Sequence, residues 1–221
     1  MLAGRLPSPV SNDTDSIRVD PHAFLRDDDV LGPVVVEHGE LGLETADDLF
    51  QRLVVSILRQ QVSMASAAAT RDRLFDAVDV TPAGILEADD DVLSEAGLSR
   101  QKTRYVNEVA SAFAEHDYSV EHFEGMADDA VRDALTDITG VGAWTANMQL
   151  LFAFGREDVF PVGDLGVRKG MQRVFPDGDD LTRSEMETRA ERWAPYRSYA
   201  ALYLWRVEED VAESVDEVVE R

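Results

Sequence analysis

Apolar residues recur along this chain at the three-to-four spacing of helices, and short polar stretches interrupt them. In TADDLFQRLVVSILRQQVS, Thr45 reads as an N-cap with Asp48 three residues on, and Leu49, Leu53, Val54, Ile57 and Leu58 then form one apolar stripe. SMASAAATRDRLFDAV reads as an Ala-rich helix with Leu74 and Phe75 on one face. Pro82 behind Thr81 opens another helix, because proline suits the first helical position. Gly97 closes DDDVLSEAG as a left-handed stop, and Ser99 caps a helix whose apolar positions are Tyr105, Val106, Val109 and Phe113. MADDAVRDALTDI and WTANMQLLFAF follow as two helices around a Gly-Val-Gly turn. Strand-like alternation is missing, apart from the ambiguous GPVVVEHG. The pattern predicts an all-α fold of short helices with short capped loops.

Composition narrows the class. A chain of 221 residues with 44% hydrophobic residues can bury a sizeable core as one domain or two small lobes. With no cysteine, disulfides, a thiolate nucleophile, cysteine-held zinc and iron–sulfur clusters are excluded. No apolar run reaches about 18 residues, so no membrane span is expected. MLAGRLPSPVSNDTDSIRVD has no apolar leader pattern, and residues 1–20 read as a loose segment. A cytoplasmic protein is the expectation.

Charge changes the picture further. Asp and Glu number 44 against 21 Lys and Arg, a formal net of −23. Such a surface fits a high-salt cytoplasm, where hydrated carboxylates keep a protein soluble. An acidic nucleic-acid mimic, or a binder of basic partners, is the rival. The basic residues nevertheless cluster. Residues 140–173 hold Arg156, Arg168, Lys169 and Arg173 against Glu157, Asp158 and Asp164, a net of +1. Arg52, Arg59, Arg71 and Arg73 face only Asp72 within 52–75, and SRQKTR at 99–104 carries three cations and no acid. These islands mark a candidate nucleic-acid face on an acidic body. Helix C-termini also collect cations, so clustering leaves both readings open.

Candidate chemistry centres on LTDITGVGAWTANMQLLFAF. Glycines in the turn let a phosphate approach bare backbone N–H groups, and the following helix points its positive dipole end at the same spot. An ordinary glycine-capped helix connection would look the same. Beyond it, Asp164 stands in VFPVGDLGVRKGMQRVF where a helix can start. It can serve as an N-cap, or as a carboxylate beside developing positive charge. The four histidines are scattered and form no metal constellation.

Several spaced segments resemble the helix-hairpin-helix DNA glycosylases. The turn has the form L-x-x-[IL]-x-G-V-G-x-x-T-A, followed by a Gly/Pro-bearing loop and an Asp. LVVSILRQQVSMASA is similar to that family's early helix and Gln-containing wedge loop, and GLSRQKTRYV to its Lys-bearing helix start. RWAPYRSYAALYLWRV at 192–207 resembles the C-terminal helix of the alkylated-base subgroup, the 3-methyladenine DNA glycosylase II type. The likeness runs from about Pro21 to Val207.

The resemblance implies two helical lobes with a cleft between them. One lobe is expected over 47–150, ending in the hairpin, and the other from 21–46 together with 151–221. An extra N-terminal β domain is expected to be absent or vestigial. The implied activity is excision of a flipped alkylated purine of the 3-methyladenine type from damaged double-stranded DNA by a monomeric enzyme. Asp164 takes the catalytic position. Trp144, Trp205, Met148 and Tyr196 are the implied base pocket. DNA contacts are implied for Gln60, Gln61, Ser63, Lys102, Thr139, Gly140, Val141, Gly142, Thr145, Arg168 and Lys169. Trp144 stands where bifunctional relatives carry a lysine, so hydrolysis without lyase chemistry is expected. No cofactor is implied beyond a monovalent cation on hairpin carbonyls. Excision of oxidised or deaminated bases, or non-catalytic DNA binding, are the alternatives.

Overall fold

A computed structural model describes residues 19–45 and 48–207. The expected loose segment at 1–20 lies almost wholly outside this range, as does the end of the expected second lobe, 208–221. Among the described residues there are twelve α-helices and no strand. In order they are α1 (Pro21–Arg26), α2 (Gly32–His38), α3 (Leu49–Arg59), α4 (Met64–Ala77), α5 (Pro82–Glu87), α6 (Asp90–Glu95), α7 (Arg100–His116), α8 (Asp128–Thr136), α9 (Ala143–Phe152), α10 (Leu165–Val174), α11 (Arg183–Ala190) and α12 (Arg197–Arg206).

Most of these helices start where a side chain can pay back an orphan N–H. Ser63, Thr81, Ser99, Asp164 and Thr182 each accept from the backbone N–H three residues on. Three expectations are corrected. The cap of α3 is Asp48, which accepts from Gln51 N at 2.9 Å, rather than Thr45. GPVVVEHG is the helix α2, not a strand. Leu74 is fully buried whereas Phe75, pointing about 100° further round α4, is 38% exposed.

Two sets of helices pack around one continuous hydrophobic cluster. In the first, α3 lies against α4, α7 and α9, α5 and α6 lie against α7, and α8 pairs with α9. In the second, α12 lies against α1, α2 and α10, and α11 joins α10. His22 Nδ1 and the Tyr203 hydroxyl are 2.8 Å apart, and that hydroxyl donates to Gly39 O at 2.8 Å. With its single proton so spent, Tyr203 accepts from His22, which ties α1 and the end of α2 to α12. Between α10 and α12 the approach is close: a Cβ on Gly170 would stand 2.3 Å from Leu204 O. Phe152 of α9 stacks on Trp205 of α12 with ring centroids 5.8 Å apart, and this contact spans the seam between the two sets.

Candidate active site

The seam ends at Asp164. Residues 156–159 are tied to the start of α12, since Ser198 Oγ donates to Arg156 O at 2.6 Å and Arg197 grips Asp158 with Nε and Nη2 at 2.6 and 2.9 Å. The chain then turns through Gly163 into α10. Arg168 Nη1 donates back to Gly163 O at 2.6 Å and Val162 O at 3.3 Å, which fixes the loop just before the carboxylate. Asp164 caps α10 through Oδ1, which accepts from Val167 N at 3.0 Å. The same oxygen accepts from Trp205 Nε1 at 2.8 Å, and Oδ2 accepts from Trp144 Nε1 at 2.7 Å. Three donors from three helices therefore aim one carboxylate. The capping role and the candidate chemical role belong to a single residue.

The two indoles differ in setting. Trp205 is 3% exposed and locked by its stack on Phe152, whereas Trp144 is 40% exposed at the first turn of α9. Met148, one helical turn along from Trp144, is buried. Tyr196 is brought somewhere else. It sits at the opposite end of α12 from Trp205, packs edge-on against Phe24 and donates its hydroxyl to Val19 O. Nine residue steps separate it from Trp205, roughly 13 Å along the axis, so Tyr196 braces the N-terminal segment instead of joining the pocket.

The Gly-Val-Gly turn leads directly into α9. Gly140 adopts φ 98°, and a Cβ there would meet the Tyr105 ring at 2.3 Å. Gly142 caps α9 with no side-chain partner for the helix N-terminus, and Thr139, Gly142, Ala143 and Trp144 are exposed around it. Val141 and Thr145 are buried and anchor the turn from beneath. Gln60 Nε2 donates to Gly140 O at 3.0 Å, which joins the end of α3 to the hairpin. Gln61 is exposed with φ 60°, a conformation side chains rarely adopt, and Ser63 follows as the exposed cap of α4. A depression of about 220 Å³ lies beside it, lined by Gln60, Gln61, Ser99, Lys102 and Tyr105 among others.

The basic islands are largely spent inside the fold. Lys102 Nζ donates to Leu58 O at the end of α3, and burial pushes its ammonium below the usual lysine range. Arg73 holds Ala96 O, Arg156 holds Phe123 O and Met126 O, and Arg71 pairs with Asp72. Lys169, on α10, is half-buried and also engaged.

Sequence reasoning missed a polar layer behind the site. Arg52 and Ser56 occupy adjacent turns of α3, facing Gln149 and Phe152 of α9. Ser56 Oγ donates to Arg52 O at 2.9 Å and accepts from Gln149 Nε2 at 3.2 Å. The Arg52 guanidinium lies 5.0 Å over the Phe152 ring. Among the described residues, the buried side-chain atoms left without a partner include Arg52 Nε and Gln149 Oε1. The available signal was polar residues breaking two apolar stripes.

No group of three or more His, Asp or Glu among the described residues could hold a metal ion. No helix among them is long and apolar enough to cross a membrane.

Residues 54–195 match the family model for HhH-GPD superfamily base excision DNA repair proteins. The chain is 30% identical over 190 residues to DNA-3-methyladenine glycosylase 2 of Escherichia coli, covering 80% of this chain and 64% of that relative. It likewise spans 64% of the length of the Bacillus subtilis relative YfjP. A solved DNA-3-methyladenine glycosidase from Bacillus halodurans superposes with a TM-score of 0.76 at 30% identity, covering 90% of this chain and 92% of that one. The Schizosaccharomyces pombe 3-methyladenine DNA glycosylase solved with abasic DNA also gives a TM-score of 0.76, at 25% identity, covering 86% of this chain and 96% of that chain.

Proposed function

The chain belongs to the HhH-GPD superfamily of base excision DNA repair proteins, and from that premise we propose that it is a DNA glycosylase that hydrolyses the N-glycosidic bond of flipped alkylated purines. One observation carries the reading: the Asp164 carboxylate receives indole N–H groups from both Trp144 and Trp205. We read the two helix sets as the two lobes, with damaged DNA laid across their seam and the flipped nucleotide entering beside Asp164.

A base inside the duplex is out of reach, so the nucleotide must rotate out of the stack. Gln61, exposed at the tip of the loop after α3, is suited to fill the gap. The exposed turn around Gly142 would grip a backbone phosphate through N–H groups and the α9 dipole. As the C1′–N bond breaks, its electron pair leaves with the base and the sugar gains oxocarbenium character. Asp164 offsets that positive charge and orients water for attack at C1′. Preorganisation by fixed donors means the carboxylate need not rearrange as charge develops. An alkylated, cationic purine leaves readily, and the aromatic faces of Trp144 and Trp205 suit it.

The carbonyls of Ile138 and Gly140 already accept from Val141 N and Gln60 Nε2. Each keeps a second lone pair that a monovalent cation at the hairpin could use, and no step is assigned to it. We further infer a monofunctional enzyme. The side chain nearest to Asp164 at the start of α9 is an indole, not an amine, and Lys102 is committed to α3. Asp164→Asn should abolish base release from methylated DNA while binding to abasic-site DNA stays within a few-fold of wild type. Release at the wild-type rate would refute the mechanism. Borohydride should trap no covalent protein–DNA adduct during turnover.

A further inference from the structure

The side chain of Gln60 is turned into the protein. Its Nε2 donates to Gly140 O at 3.0 Å, and the residue is half-buried. The loop that Gln60 opens is short, running to Ser63 between the end of α3 and the cap of α4. Just before it, Leu58 O accepts from Lys102 Nζ, and just after it Ser63 Oγ accepts from Ser66 N at 3.3 Å. Between these ties Gln61 and Val62 are exposed, and Gln61 holds φ 60°. A left-handed backbone at a residue with a side chain persists only where its surroundings hold it. On the hairpin side, Gly140 is pinned from two directions. The Gln60 amide takes its carbonyl, and the Tyr105 ring closes the space where a Cβ would stand. That ring is held in turn by Gln101 Nε2, which donates to the Tyr105 hydroxyl at 2.6 Å. The loop after α3 and the turn before α9 are thus one bonded unit, and the Gln60 side chain links them directly.

We propose that Gln60 is a positioning residue that couples gap filling to phosphate grip. By holding Gly140 O it fixes Gln61 in register with the Gly142 turn, and so favours the flipped state of a base that must first leave a pair. The inference rests on the reading of Gln61 as the gap filler and of the Gly142 turn as the phosphate grip, and adds the link between them. Trp144, two residues beyond Gly142, bonds Asp164, so the turn would grip on the side where the flipped nucleotide lands. Rotating a nucleotide out of the duplex opposes pairing and stacking, least for a base that is already unpaired. Gln61 offsets that cost best when it meets the duplex already in place. On a loose loop it must give up conformational freedom as it inserts, and it then offsets less. The excision rate follows the flipped population until that population saturates. Loss of the Gln60 link should therefore slow excision of a paired lesion more than excision of one with no pair to break. One neutral hydrogen bond changes such a population by roughly 3- to 10-fold.

The test compares single-turnover excision of N7-methylguanine, at saturating enzyme, from two DNAs. In one the lesion lies opposite cytosine. In the other the complement lacks that cytosine, which leaves the lesion as a one-nucleotide bulge. Gln60→Leu keeps a side chain of similar bulk and removes the N–H. It should lower the paired-to-bulged rate ratio by about 3- to 10-fold. Gln61→Gly suits the left-handed φ while removing the filler, and should lower the same ratio. In the Gln61→Gly background, Gln60→Leu should lower it no further, because Gln60 acts through Gln61. A packing defect alone slows excision from both DNAs together and leaves the ratio still. An unchanged ratio in Gln60→Leu would overturn the proposal, and so would a further several-fold loss in the double variant, which would mark Gln60 as a DNA contact in its own right. A Gln61→Gly protein with the wild-type ratio would instead refute the gap-filling reading, and a wild-type protein that releases the base from neither DNA would refute the glycosylase reading beneath it.

Discussion

At the scale of single residues, one carboxylate is held by three donors, and the exposed one of its two indoles is the cleanest to test. Trp144→Phe keeps an aromatic face but removes the N–H that Asp164 Oδ2 accepts at 2.7 Å. Hydrogen bonds to a charged acceptor contribute about 1.5–3 kcal/mol, so the single-turnover rate should fall roughly 10- to 100-fold. Because Trp144 is 40% exposed, the melting temperature should shift little. A rate within twofold of wild type would mean that this indole does not set the carboxylate. Asp164, Trp144 and Trp205 were each legible as candidates from motif and spacing. Their convergence was not, because they lie 20 and 41 residues apart and only packing joins them. Tyr196 shows the converse. A motif put it near Trp205, but α12 carries the two to opposite ends. Arg52 was legible only as one cation of a basic island and Gln149 not at all, because a polar residue within an apolar stripe reads as noise until its facing helix is known.

At the scale of helices, caps were the most legible feature, since Ser, Thr or Asp followed by a free N–H three residues on is local chemistry. Helix contacts were less so. Gly170 is an example: in sequence it is an unfavourable mid-helix residue, yet it lets α10 meet the Leu204 carbonyl of α12. That contact sets the distance between Asp164, at the start of α10, and Trp205, near the end of α12. Gly170→Ala places a methyl group 2.3 Å from a backbone oxygen that cannot rotate away. The two helices must separate, at a cost of about 1–3 kcal/mol. Thermal unfolding should show a melting temperature several degrees lower, and base release should fall with it. Gly142→Ala is the control, because nothing lies within 4 Å of the added carbon. Its stability should stay near wild type, while its affinity for abasic DNA should weaken if the turn grips phosphate. A Gly170→Ala protein as stable as wild type would show that α10 and α12 have slack.

At the scale of the molecule, the proposed function asks a chain of net charge −23 to approach a polyanion. The sequence suggested basic islands as the solution, and the structure uses many of those cations elsewhere. Arg73, Lys102, Arg156 and Arg168 bond backbone carbonyls, and outside the islands Arg189, Arg192 and Arg197 pair with carboxylates. On the proposed reading, the surface that faces DNA would lean on backbone N–H groups at the Gly142 turn, which bring no net charge. On that reading the usual salt response should invert. A protein that neutralises phosphates with Lys and Arg releases counterions, and loses affinity steeply as salt rises. Here the dominant long-range force is repulsion between surface carboxylates and phosphates. Its range, the Debye length, shrinks from about 10 Å at 0.1 M to about 3 Å at 1 M. Short-range contacts at the hairpin and the Asp164 seam survive that screening. Excision from a short damaged duplex should therefore be slow at 0.1 M KCl and rise to a maximum near or above about 1 M, with the gain in apparent affinity rather than in the single-turnover rate. Rate and affinity titrated with KCl on one duplex separate the two. Affinity that falls steadily from the lowest salt would mean that enough cations still face the DNA for counterion release to govern binding.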